Sequence, residues 1–266
     1  MIPLVDGDIL VYELGFAAET GWRSLHPDST DPPPWDYVQE LLDNRISEIC
    51  VKAGATAAPE IYLTGKNNFR DAIAKKKPYK GNRDNLKKPW HYKNIQVYLK
   101  GIYGATTVEG MEADDAICIR QSASMGTTII CTRDKDLRQC PGWHFGWELG
   151  KQPQFGPKLV DVIGEIKLVK DEIKGWGLKF FYAQVITGDT TDNIPGLPGK
   201  GATYAFNLLD PLDNEADLEL AVAIAYETKY GEDKWREEMR EQAQLLWMVR
   251  HLDVNGKPIM WDFMYA

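Results

Sequence analysis

The chain has 266 residues, with 31 Lys/Arg against 39 Asp/Glu and a formal net charge of −8. That length allows one large domain or two small ones with a sizeable core, and the acidic average argues against a protein that coats nucleic acid non-specifically. No apolar run approaches the roughly 20 residues that cross a bilayer. The opening MIPLVDGDIL lacks the basic start of a signal peptide. Cys50, Cys118, Cys131 and Cys140 show no CxxC spacing, and His26, His91, His144 and His251 form no ligand-spaced pair. A cytoplasmic protein with reduced cysteines, no membrane partner and no structural zinc is expected.

In chain order, IPLVD reads as a buried strand delivering Asp6 at its carboxyl end, and ILVYELGFAAE as a helix. Residues 36–53 form a second helix by the spacing of Val38, Leu41, Leu42, Ile46, Ile49 and Cys50, and PEIYLTG a second strand. Residues 66–100 hold eleven Lys/Arg against Asp71 and Asp84, a local +9 beside −17 for the remainder. This segregation reads either as a solvated charged face or as a polyanion-binding element on an acidic body. Pro78 and Pro89 break the 66–90 stretch, which is expected to be a loop or arch with short helical pieces. A helix over 91–101, a strand over 105–108, a helix from Glu112 to Ser124 and the apolar strand in TTIICTRDKD follow. From about 176 the pattern is nearly all helical.

Strands alternating with helices predict an α/β fold, a mostly parallel central sheet flanked by helices. It is expected over residues 1–175, including the basic arch 66–100, with an α-helical region over 176–266. Ligands of such sheets bind beyond the carboxyl ends of the strands. The acids fall into four groups: Asp6 and Asp8; Glu112, Asp114 and Asp115; Asp134 and Asp136; Asp189 and Asp192. Each group alone reads as helix capping, dipole compensation or an Asx-turn. Together they are expected to converge on one edge of the sheet, where they would raise one another's pKa unless cations neutralise them. Hard oxygen ligands select Mg2+ or Mn2+, and two such ions roughly 3.5–4 Å apart suit phosphodiester hydrolysis by activated water. The basic segment then supplies the field that draws in a polyanion.

The motifs LVDGD, FRDAIAKKKPYKGNRDNLKKP, GMEADDAI, TRDKDL and GDTTDNIPGLPGKG occur in one order over nearly 200 residues. In this the chain resembles the 5′-nuclease (flap endonuclease) superfamily, and most closely the short 5′→3′ exonucleases of tailed bacteriophages. The resemblance implies a PIN-like fold with a helical arch and a helix-three-turn-helix module. It implies metal ligands at Asp6, Glu112, Asp114, Asp115, Asp134, Asp136, Asp189 and Asp192, with Asp8 outside the ligand set. Lys80 and Arg83 are implied to contact the scissile phosphate and Arg70 a further one, while Tyr79 could stack on a terminal base. GLPGKG reads as the hairpin of a helix-hairpin-helix element or as a plain turn. In the first reading Gly196, Gly199 and Gly201 let backbone amides approach a duplex phosphate, Lys200 adds a contact, and the family's K+ site falls here. Implied partners are DNA with a 5′ end, nick or flap, or an RNA–DNA hybrid, acted on by a monomer in the cytoplasm, the host's if phage-encoded.

The chain departs from some relatives at Gln184, where they carry a lysine, and its arch is more broken by proline. It is also expected to carry no fused polymerase. Two other readings stand beside this one. LVDGDIL imitates the DxD of a haloacid-dehalogenase-like phosphatase with Asp6 as nucleophile, although Leu10 replaces the usual Thr or Val. A DNA-binding module without catalysis is the other.

Overall fold

The computed structural model describes residues 1–83 and 86–264; Asp84, which entered the charge count above, lies outside the described residues. Two compact units are present, and they interleave along the chain. The first comprises residues 1–66, 86–133 and 143–159, and the second 67–85, 134–142 and 160–266.

The first unit is built on a sheet. Its elements are β1 (Ile2–Asp6), α1 (Gly7–Leu25), α2 (Trp35–Lys52) and β2 (Glu60–Thr64). The chain returns after an excursion with α4 (Tyr92–Tyr103), β3 (Thr106–Val108), α5 (Ala113–Ser122), β4 (Thr128–Cys131), β5 (Gly142–Gly146) and β6 (Phe155–Val160). The strand order is β3-β2-β1-β4-β5-β6. The pairs β1–β2, β1–β4, β2–β3 and β4–β5 are parallel. Strand order therefore reverses between β1 and β4, and this switch point is where such sheets bind ligands. The central strands are covered on both faces, which is why IPLVD and TIIC read as continuous apolar runs rather than alternating ones.

Helix α1 packs Leu10, Val11, Leu14 and Ala18 into this core, and α2 adds Val38, Leu42, Ile46 and Ile49 at helical spacing. Gly7 marks where α1 meets the sheet. A Cβ there would stand 2.5 Å from the Tyr62 carbonyl, so a side chain would push the helix away from β2.

The second unit is organised around α6 (Gly177–Thr187), whose residues from Gly177 to Ile186 are all buried. Around it lie the hairpin β7 (Glu165–Val169) and β8 (Glu172–Trp176), then α7 (Ala202–Leu209), α8 (Glu215–Tyr230) and α9 (Trp235–Leu246). The core joins Phe181, Tyr182, Val185, Leu218, Val222, Tyr226, Met239 and Trp261 to Tyr79 from the basic segment.

That segment is not an independent arch. Residues 67–85 are part of the second unit and 86–100 part of the first. Within 67–85 the structure holds α3 (Arg70–Ile73) and a 3-10 turn, Gly81–Arg83. Two of its lysines are held by α9: Lys75 pairs with Glu237 at 2.9 Å, Lys76 with Glu238, and the amides of Lys75 and Lys76 both donate to Glu241. A single boundary near 175 does not describe these units, because tertiary packing gathers three separated stretches into each. The second unit also contains the β7–β8 hairpin, a stretch for which the sequence predicts no particular element.

Candidate metal and phosphate sites

In the first unit the acids are tied to the ends of β1 and β2. Asp6 ends β1 and caps α1, its Oδ1 accepting from the amides of Asp8 and Ile9 at 3.1 and 3.2 Å. Its Oδ2 accepts from the Thr132 hydroxyl just after β4, at 3.0 Å. Asp8 accepts from the Thr64 amide at the end of β2, at 3.1 and 3.3 Å. The Thr64 hydroxyl in turn accepts from the Ala113 amide at 2.9 Å, tying the start of α5 to the same strand end. Glu112 and Asp115 form the capping box of α5, with the Glu112 amide donating to Asp115 Oδ2 at 3.2 Å. Asp6, Glu112 and Asp115 are buried and Asp114 is half-buried. The capping roles thus fall on side chains that the sequence also marked as candidate ligands.

In the second unit the acids are held by cations. Lys135 Nζ lies 2.7 Å from Asp136 Oδ1 and 2.7 Å from Asp189 Oδ2. Arg83 donates to Asp192 Oδ1 at 2.5 Å and, through Nε, to the Thr191 carbonyl at 3.1 Å. Lys80 Nζ stands 3.9 Å from Asp192, and the Tyr79 hydroxyl donates to the same carboxylate at 3.1 Å. Asn82 donates to the carbonyls of Thr190 and Thr191, and Asn193 to that of Pro78. The YKGNR stretch is thereby latched on the GDTTDN loop. Lys80 and Asn193 both adopt positive φ, 53° and 63°, to make that fit.

Asp134 accepts from the Asp136 amide at 2.8 Å in an Asx-turn. Crowding by protein atoms and the nearby Asp136 charge push its carboxyl up to about 6. Burial also raises the Asp189 carboxyl, but the Lys135 ammonium and the backbone amides of Thr191 and Asp192 outweigh it and hold that carboxyl below its ordinary value. The Asp136 and Asp189 ammonium partner, Lys135, is raised in spite of its own desolvation.

Among the described residues no three His, Cys, Asp or Glu side chains are placed to hold a metal ion together. The donors nevertheless fit a hard divalent cation. They are carboxylate oxygens, and the Lys135 ammonium already stands as a cation between two of them.

Other expected contacts change. Arg70 is fully buried, donating to the carbonyls of Leu245 at 3.0 Å and Trp247 at 2.7 Å and lying over the Phe69 ring. It closes the C-terminal end of α9 and is not a surface phosphate contact, because the chain packs that end against residues 69–70. Tyr79 is only 9% exposed, so its ring belongs to the core and is not available to stack on a base. The Gly196 amide is spent on Gln242 Oε1 at 2.9 Å, and a Cβ there would meet the Gly188 nitrogen at 2.3 Å, so this glycine closes the turn rather than facing a duplex. Gly199 and Gly201 remain exposed with open space around them, and Lys200 lies over the Tyr204 ring at 4.0 Å.

Residues that the motifs did not single out also build these sites. Thr132 orients Asp6. Gln184, at the position of the missing lysine, donates to Asp136 at 2.6 Å and accepts from Gln139 at 2.7 Å. Lys135 was legible only as one cation within an acidic run.

The fold, a mostly parallel sheet flanked by helices, is shared with a solved 5′-exonuclease. The solved zinc-bound T5 5′-exonuclease superposes with a TM-score of 0.54 over 92% of this chain and 88% of that one, at 19% identity. In sequence the chain is similar to the exodeoxyribonuclease of Enterobacteria phage T3, 25% identical over 92% of this chain and 78% of that protein. It is also similar to DNA polymerase I of Rhizobium leguminosarum, 36% identical over 44% of this chain and 11% of the polymerase. For DNA polymerase I of Chloroflexus aurantiacus the figures are 28% identity over 98% of this chain and 27% of that protein. The chain thus spans about a quarter or less of the length of these polymerase relatives. No family model matches it. Among the described residues no helix is long and apolar enough to cross a membrane.

Proposed function

We propose that this chain is a metal-dependent 5′ nuclease that hydrolyses phosphodiester bonds at or near the 5′ ends of DNA. The observation that carries this reading is the latch in the second unit, where Arg83 and Lys80 meet Asp192. A guanidinium suited to phosphate and a carboxylate suited to a divalent ion share one spot. Similarity to the T3 exodeoxyribonuclease along most of both chains supports it, as does the divalent metal bound by the T5 5′-exonuclease.

Asp6, Glu112, Asp114, Asp115, Asp134, Asp136, Asp189 and Asp192 would hold Mg2+ or Mn2+. When bound, two such ions supply a water deprotonated near neutral pH and neutralise charge developing on the phosphate. The chain's own residues prepare for that. Thr132 and the α1 amides fix the Asp6 carboxylate, and Gln184 fixes Asp136. Arg83 offers the planar fork that matches a phosphate, with Lys80 as a point charge beside it. Tyr79 orients Asp192 through its hydroxyl.

Lys200 and the open backbone at Gly199 and Gly201 would meet a duplex phosphate, with K+ held by neighbouring carbonyls. We further place the chain as a cytoplasmic monomer that accepts nicked, flapped or recessed DNA and RNA–DNA hybrids. A Mg2+ titration with 5′-labelled duplex, nicked, flap and hybrid substrates tests the reading. Release of short 5′ products that EDTA abolishes supports it; EDTA-insensitive cleavage, or none with any metal, overturns it.

A further inference from the structure

Lys135 sits inside an acidic run, yet its placement is specific. Its ammonium is 2.7 Å from an oxygen of Asp136 and 2.7 Å from one of Asp189. Its own side chain is 49% exposed, whereas those two carboxylates are 16% and 6% exposed. Neutral donors also hold both acids: Gln184 on Asp136 at 2.6 Å, and the Thr191 amide on Asp189 at 2.8 Å. The carboxylates therefore keep their places if the ammonium departs. The ammonium can depart, because the side chain that carries it is half exposed and a lysine head is compact and strongly hydrated once in water. An ammonium and a divalent ion cannot occupy one carboxylate pair together.

We propose that Lys135 is a built-in counter-cation that holds Asp136 and Asp189 as a pair until a divalent ion displaces it into solvent, so that it competes with the metal for these two acids. The proposal rests on the metal-dependent reading above. It gives the lysine a role opposite to that of Arg83 and Lys80, which are offered to the phosphate.

The test measures Mn2+ binding without DNA, by the loss of the free-ion electron paramagnetic signal, in the wild-type chain and in Lys135→Met. The variant is expected to bind Mn2+ about three- to tenfold tighter, the range released by two partly exposed ion pairs. A second measurement needs no variant. Acetic anhydride labelling of the wild-type chain, read by mass spectrometry, should acetylate Lys135 several-fold faster in saturating Mn2+ than in its absence. Equal or weaker Mn2+ binding by Lys135→Met overturns the proposal. If that variant does not fold, unchanged labelling of wild-type Lys135 in Mn2+ overturns it instead. Failure of both proteins to bind Mn2+ overturns the metal reading and the proposal with it, whereas equal affinities overturn the proposal alone.

Discussion

Asp6 in the sheet unit takes two backbone amides and a threonine hydroxyl, while Asp136 and Asp189 in the helical unit share one ammonium and Asp192 takes a guanidinium. The first arrangement stabilises carboxylates with neutral dipoles that do not compete for a cation's place. The second neutralises them with whole charges that do. The difference follows from position. At the end of a parallel strand the next residues start a helix, and its unpaired N–H groups are available at no extra cost. The loops of the helical unit also give amides to Asp134 and Asp189, but there cationic side chains join them, Lys135 from the next position to Asp136 and Arg83 from 109 positions before Asp192.

The largest expected effect removes one acid from each set. Asp6→Asn and Asp189→Asn should each lower Mg2+-dependent cleavage by about a thousandfold or more in single-turnover assays. They should differ in stability. Asparagine caps a helix as well as aspartate does, so Asp6→Asn should leave the thermal midpoint nearly unchanged, whereas Asp189→Asn removes one of the two carboxylates on Lys135 and should lower it slightly at neutral pH. Equal midpoint shifts would erase the contrast between the two sets.

Next in size is Arg70→Ala, which leaves the carbonyls of Leu245 and Trp247 without their buried donor. It should cost about 3–4 kcal/mol in denaturant unfolding. If it instead weakens DNA binding with no loss of stability, the buried assignment fails.

Arg83→Ala should slow cleavage about ten- to a hundredfold with a smaller effect on duplex affinity, as for a group that meets charge developing in the transition state. A change in affinity alone would make it a mere docking contact.

The pH dependence separates two acids within one unit. The Asp134 carboxyl is raised in the fold from 3.8 to about 6. The folded chain therefore holds that proton more tightly than the unfolded chain. This contribution is fully present below about 4 and is lost as pH rises through about 6. Asp189 is depressed, so its contribution is present above the ordinary carboxylate range and is lost as pH falls. Asp134→Asn should accordingly raise stability at pH 8 by about 1–2 kcal/mol and leave it unchanged at pH 4. Divalent metal should raise the wild-type midpoint at pH 8 and not that of the variant.

Smallest is Lys200→Ala. It should weaken duplex binding slightly and reduce the slope of log affinity against log salt by about one. An unchanged slope would make GLPGKG a plain turn.

Much of this was legible in the residues. The parallel strands announced themselves because burial on both faces demands continuous apolar runs, and α1, α2, α4 and α5 lie within a few residues of their apolar periodicity, apart from an α1 that extends further at both ends. The acids stood out because carboxylates at strand ends and helix starts are positions that local sequence alone defines. The signal failed where a side chain's role depends on a distant partner. Arg70 reads as a surface cation until α9 supplies two carbonyls, and Tyr79 reads as a stacking platform until the helical core closes on its ring.

By itself the sequence determined strands β1 to β4 with the helices between them, and the acidic and basic motifs, because these rest on periodicity and short-range turn chemistry; β5 and β6 were not legible in it. Only the tertiary structure decided which cation meets which carboxylate. An ion pair between residues more than a hundred positions apart, such as Arg83 and Asp192, leaves no period or spacing to read. It is settled when packing brings residues 78–83 onto the 189–194 loop, at hydrogen-bond distances that long flexible side chains reach only once the backbone beneath them is held.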